Sequence, residues 1–194
     1  MTFVLCPLAN DAMKNTISHR YRGLGPHAQK RHTAAINWQQ DRLPTAPVVW
    51  AFGAGTEVGY HGGPTLAIFA ENFVRQQLPK AEVVSNRSKP HFYGTFEEMK
   101  FIVGMAETKY LQGTIRFVFF APVWHLARAK LIWLLFYRRQ WGKAVFVATE
   151  DGATFEMRHE MMAWARICLI RAGLVKSRDQ TPYQQIKRNG HTEC

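Results

Sequence analysis

The chain has 194 residues, a length that suits one domain and buries roughly 70% of the unfolded surface, so a core needs no staples. Apolar residues at 47% and charged residues at 20% exclude a wholly disordered chain, a collagen-like repeat and a disulfide scaffold. Lys plus Arg is 25 against 14 for Asp plus Glu, and the resulting +11 favours acidic partners (phosphates, nucleic acid or an anionic membrane surface) without bearing on fold.

The first apolar run is Phe3-Val4-Leu5-Cys6, which leads into Pro7 and the polar Asn10-Asp11. Residues 27–41 lack Gly and Pro and stop at Leu43-Pro44, which predicts a helix. The second run, Val48-Val49-Trp50-Ala51-Phe52, leads into Gly53-Ala54-Gly55. Residues 65–78 place Leu66, Phe69, Phe73 and Val74 on one helical stripe and end at Pro79. A weaker strand is expected at Ala81-Glu82-Val83-Val84. Thr95-Phe96-Glu97-Glu98 resembles a capping box that opens a helix over 96–110. The third strong run, Phe117-Val118-Phe119-Phe120-Ala121, ends at Pro122 and precedes a helix over 124–140. The fourth, Ala144-Val145-Phe146-Val147-Ala148, ends at Glu150-Asp151-Gly152 and precedes a helix over 156–172, with Gly173 as its stop. Beyond it the chain turns polar and basic, so 1–173 reads as the domain and 174–194 as a tail that adds little to the core.

The strong runs are continuous rather than alternating, the pattern of strands buried on both faces of a parallel sheet. Residues 3–6, 48–52, 117–121 and 144–148 should therefore be adjacent parallel strands. Alternation with helices implies right-handed crossovers and a three-layer, mainly parallel, Rossmann-like doubly wound α/β fold.

Cys6, Cys168 and Cys194 are widely spaced and odd in number, with no CxxC or Cys/His cluster, so no metal site is expected. Cys6 and Cys168 read as buried small hydrophobes. The stretch Arg116 to Trp141 is interrupted by His125, Arg128, Lys130, Arg138 and Arg139, so it is not a spanning helix. The start MTFVLCPLAND has no basic n-region, and a reduced, cytoplasmic, soluble protein is the expectation.

In an open parallel sheet ligands bind outside the carboxyl ends of the strands, which directs attention to the residues after each run. These are Asn10 and Asp11; Gly53, Gly55, Thr56 and Glu57; Thr95, Glu97 and Glu98; Trp124, His125 and Arg128; and Glu150 and Asp151. Gly53-Ala54-Gly55-Thr56 could let backbone N–H groups approach a phosphate or carboxylate, or could be a plain tight turn. His125 and Arg128 are three apart and share a helix face. The imidazole suits acid–base work and the guanidinium suits an oxyanion. Alternatively, His125 is a hydrogen-bonded helix-start residue and Arg128 pairs with Glu97 or Glu98. Those acids could equally complement the helix dipole, with Thr95 a simple N-cap. Residues 122–143 hold Arg128, Lys130, Arg138, Arg139 and Lys143, no acid, and interleaved aromatics. That superficially resembles a nucleic-acid surface, but at helical spacing Trp124, Trp133, Phe136, Tyr137 and Trp141 read as core.

Arg31 with Ala34-Ala35, the strand VVWAFGAGT, Thr95-Phe96-Glu97-Glu98 and FVFFAPVWHLARA at 117–129 together resemble the SanA/YdcF/ElyC-like family of bacterial domains. The likeness runs over about residues 2–172, with Ala54 splitting the family's adjacent glycines and Pro7 to Asp11 replacing glycines after the first strand. It implies a Rossmann-like fold with a pocket lined by the motif residues. The candidate catalytic residues are His125 and Glu97. The candidate ligand-binding residues are Asn10, Asp11, Arg31, Gly53, Gly55, Thr95 and Arg128. A small anionic or nucleotide-like ligand is expected, with S-adenosylmethionine the first to test, in a binding protein or an enzyme. A non-catalytic adaptor or envelope-related factor is the alternative, and a basic nucleic-acid binder the least favoured. His125→Ala and Arg128→Ala are expected to abolish binding at little cost in stability.

Overall fold

In the computed structural model, which describes residues 1–8, 12–14, 21–53, 65–86, 94–109, 114–152 and 157–175, the five apolar runs form one sheet. Its strands are β1 (Thr2–Pro7), β4 (Val48–Phe52), β5 (Glu82–Ser85), β6 (Ile115–Ala121) and β7 (Ala144–Ala148). The helices are α1 (Pro26–Arg42), α2 (Leu66–Gln77), α3 (Thr95–Lys109), α4 (Val123–Phe136) and α5 (Met157–Arg171). All sheet pairings are parallel and the order is β5-β4-β1-β6-β7. The chain winds outward from β1 to β5, then returns to β6 on the other side of β1. The order thus reverses between β1 and β6, where doubly wound sheets open their ligand crevice.

Strand side chains alternate between two separate cores. Leu5, Trp50, Phe52, Val118 and Phe120 face α1 and α2, which approach closely through Ala28, Ala35, Ala67 and Ala70. Val4, Cys6, Ala51, Phe117 and Phe119 face α3, α4 and α5, through Met99, Ile102, Leu126, Trp133 and Ile167. Trp133 packs its ring 5.4 Å from both Phe117 and Phe119. This is the three-layer α/β arrangement, and the four strong runs are adjacent in it, as expected.

Three details differ from the sequence pattern. A small antiparallel hairpin, β2 (Ala12–Lys14) with β3 (Tyr21–Leu24), precedes α1. Strands of three and four residues are too short to carry a readable alternation. The helix expected to reach 140 ends at Phe136 and gives way to a 3₁₀ segment, Arg138–Lys143, that turns the chain into β7. Cys168 is exposed rather than buried, because α5 turns Glu160 and Ile167 inward and carries Cys168 round to its outer side. Cys6 is buried as expected, and burial together with the Glu98 charge pushes its thiol well above the usual range. Gly173 ends α5 as read: its φ is +74°, and Gly173 and Leu174 donate their N–H groups to the carbonyls of Ile170 and Leu169. Among the described residues no helix is long and apolar enough to cross a membrane.

The α1–α2 core holds a histidine. His32 is fully buried, donates Nδ1–H to the Ala28 carbonyl at 2.7 Å and packs against Phe52 and Phe73. Burial, helped by the Arg31 charge, holds its pKa down at about 3. The unfolded chain therefore binds a proton between pH ~6.5 and ~3 that the folded chain refuses, and stability falls as pH falls through that window. Melting temperature should drop steeply from pH 7 to pH 4. His32→Leu should flatten that slope, and an unchanged slope would show that His32 is not the group being charged.

Candidate functional site

The carboxyl ends of β1, β4, β6 and β7 gather the candidate residues of four sequence segments. β6 is followed by Pro122, whose carbonyl accepts the N–H groups of His125 and Leu126 and starts α4. The first two turns of α4 thus carry His125 and Arg128 at the end of the sheet. Gly94 precedes α3, and its N–H donates to Glu97 Oε2 at 3.1 Å. This is the reciprocal half of a capping box, one residue earlier than the sequence pattern placed it. Thr95 is the first residue of α3, and its hydroxyl turns to His125 instead of capping the helix.

His125 is buried, and both ring nitrogens are engaged. Arg128 Nη2 donates to Nδ1 at 2.8 Å, and Thr95 Oγ1 lies 3.1 Å from Nε2. The same Nη2 lies 3.4 Å from Nε2, so the guanidinium reaches across the ring to both nitrogens. Burial and the charges of Arg128 and Arg31 push the His125 pKa well below the usual range, so the ring is neutral at pH 7.

Arg128 is held on its other side by Glu160 of α5, with Nη1 2.6 Å from Oε1. Burial disfavours its charge, while Glu160 and Glu98 support it. Among the described residues its Nε has no hydrogen-bond partner. Glu97 also reaches α5, with Oε1 2.5 Å from Arg166 Nη2. Arg128 thus pairs with Glu160 and not with Glu97, while Glu98 supports its charge. The burial of His125 and Arg128 also argues against their cheap removal: truncating Arg128 would leave Glu160 charged in a dry site.

Arg31 lies on the other side of the crevice and is almost entirely buried. Its Nη2 and Nε sit 2.5 and 2.7 Å from Asp151 Oδ2, and Nη1 donates to the Leu8 carbonyl at 2.8 Å. Thr149 donates to the same carboxylate oxygen at 3.3 Å, and His27 Nδ1 donates to the Asp151 carbonyl at 2.8 Å. The pair ties α1 to the ends of β1 and β7. Gly53 ends β4 against the first turn of α3, where a Cβ would stand 2.4 Å from the Glu98 carbonyl oxygen and 2.8 Å from its Cγ. The close approach that this glycine permits is made by α3. Asn86 Nδ2 donates to the Gly53 carbonyl at 3.2 Å, and Thr65 donates to the Asn86 carbonyl at 3.0 Å.

The structure therefore brings Gly53, Thr95, Glu97, His125, Arg128 and Arg31 to one end of the sheet. Asn10, Asp11 and Gly55 lie outside the described residues, as do Thr56 and Glu57. Glu160, Arg166, Asn86 and Thr65 complete the network and carry no local motif that could single them out. A separate cavity of about 550 Å³ opens at the opposite end of the sheet, between Gln39, Val48, Leu78 and Glu82, and none of the candidates lines it. Among the described residues no group of His, Cys, Asp or Glu is placed to hold a metal ion. Comparison with protein-family models, curated proteins and solved structures found no match to this chain.

Proposed function

We propose that this chain binds a small anionic or nucleotide-like ligand over the β1/β6 switch point, as a member of the SanA/YdcF/ElyC-like family would. The observation that carries this reading is the orientation chain Arg128–His125–Thr95. Arg128 holds the imidazole, and the imidazole holds the Thr95 hydroxyl beside a largely buried guanidinium. Donors and positive charge converging at the carboxyl ends of parallel strands suit oxyanions of a phosphate or carboxylate. Catalytic roles for His125 and Glu97 stay within the proposal. Their polar atoms are engaged with Thr95 and Arg128, and with Gly94 and Arg166, so binding is favoured over catalysis.

A thermal-shift screen of inorganic phosphate, nucleotides and S-adenosylmethionine tests it. A ligand at 100 times its Kd should add about 2.7 kcal/mol, several degrees in melting temperature. Thr95→Val keeps the shape, removes the hydroxyl, and should erase the shift in a protein that still folds. No shift with any of these compounds, or an undiminished shift in Thr95→Val, would defeat the proposal.

A further inference from the structure

α5 has two working sides. Inward it presents Glu160 and Arg166, which hold Arg128 and Glu97, and the buried Ile167. Outward it presents Met161, Met162, Trp164, Cys168 and Leu169, and the chain continues with exposed Leu174 and Val175. Met161 is 66% exposed, Met162 61% and Leu174 74%, and among the described side chains of that outer stripe the charged one is Arg171 at its end. A surface helix of a globular domain places polar residues outward, so an apolar outer face marks a surface that meets something else.

The charge around this face selects the partner. α4 and α5 both run from the carboxyl end of the sheet back to its amino end, since each follows a parallel strand and the two are joined near their starts by Arg128 and Glu160. Exposed Arg138, Lys143 and Arg171 therefore collect at the end where Leu174 and Val175 emerge, with Lys130 exposed along α4. The described acids between 123 and 175 are Glu150, Asp151 and Glu160, and the last two are buried in ion pairs. An apolar strip with an aromatic ring, framed by exposed cations, matches a helix that lies in the headgroup layer of an anionic bilayer.

A second copy of the chain fits less well. The 15 residues of α5 span about 22 Å, and a strip about 10 Å wide offers roughly 220 Å², against about 800 Å² per partner in a stable protein interface. The net charge of +11 also repels a like copy, whereas it draws the chain to negative lipid. We propose that the outer face of α5, continued by Leu174 and Val175, docks the protein on an anionic membrane surface.

Co-sedimentation of the full chain with vesicles tests this. It should pellet with mixed phosphatidylcholine–phosphatidylglycerol vesicles, not with phosphatidylcholine alone, and binding should weaken as salt rises. Met161→Glu with Trp164→Glu should weaken binding at least about tenfold, because apolar contact is replaced by repelled charge. Leu174→Gln with Val175→Gln, beyond the helix, should weaken it in the same direction even if the first variant folds poorly. No binding to the anionic vesicles, equal binding to the neutral ones, or full binding by the Leu174/Val175 variant overturns the proposal. A dimer in light scattering that the variants dissolve, without vesicle binding, would assign the face to a second copy instead.

Discussion

Asp151→Ala should lower the unfolding free energy by about 3–5 kcal/mol, among the largest single effects open to this chain. Asp151 meets Arg31 from two guanidinium nitrogens, and both side chains are only 1% exposed. Removing the carboxylate leaves a cation in a site closed to solvent, where the Leu8 carbonyl accepts from Nη1 but carries no balancing charge. The damage would not be local. Arg31 belongs to α1 on one face of the sheet, and Asp151 follows β7, two strands from β1. The pair therefore locks the first crossover to the last strand. Urea titration of Asp151→Ala, Arg31→Met and the double variant Arg31→Met/Asp151→Leu gives the coupling directly. The double variant should be less unstable than the sum of the singles, because an apolar pair leaves no orphaned charge. Singles that each cost under about 1 kcal/mol would mean that water or another acceptor reaches Arg31.

The sequence made the sheet legible because burial on both faces removes every polar position from a strand. Phe117 to Ala121 contains no polar residue, and neither does Val48 to Phe52. The Gly53 position was readable as a place of close approach, but not what would approach it: the Glu98 backbone lies far along the chain and reaches Gly53 only after α3 docks. The pairs that organise the site were hidden for the same reason. His125 and Arg128 are three apart and could be placed on one helical face. Glu160 lies 32 residues from Arg128, and Asp151 lies 120 from Arg31, so no periodicity links them. Cys168 shows the converse limit. A helix with apolar residues on several sides does not say which side is buried, and α5 proved to bury a narrow stripe containing Glu160 and Ile167.

Arg128 is where stability and binding should separate. Arg128→Ala should cost about 3 kcal/mol, since Glu160 would stay buried without its guanidinium. The loss alone would say nothing of function, so Glu160→Gln provides the control: it keeps the shape and removes the stranded charge. Arg128→Ala/Glu160→Gln should recover part of the lost stability but none of the ligand response. The histidine reports on the same event. Burial and the Arg128 charge hold the His125 pKa down, and removing Arg128 takes away the second cause. Imidazole NMR should show the His125 titration moving up in Arg128→Ala, with acid sensitivity shifting to correspondingly higher pH. Arg128→Lys sharpens the test, because an ammonium still balances Glu160 but cannot reach both Glu160 and His125 with a planar fork. It should melt close to the parent chain while losing most of the ligand-induced shift. If Arg128→Lys keeps the full shift, the guanidinium serves α5 alone, and the ligand is held by Thr95 and the backbone around it.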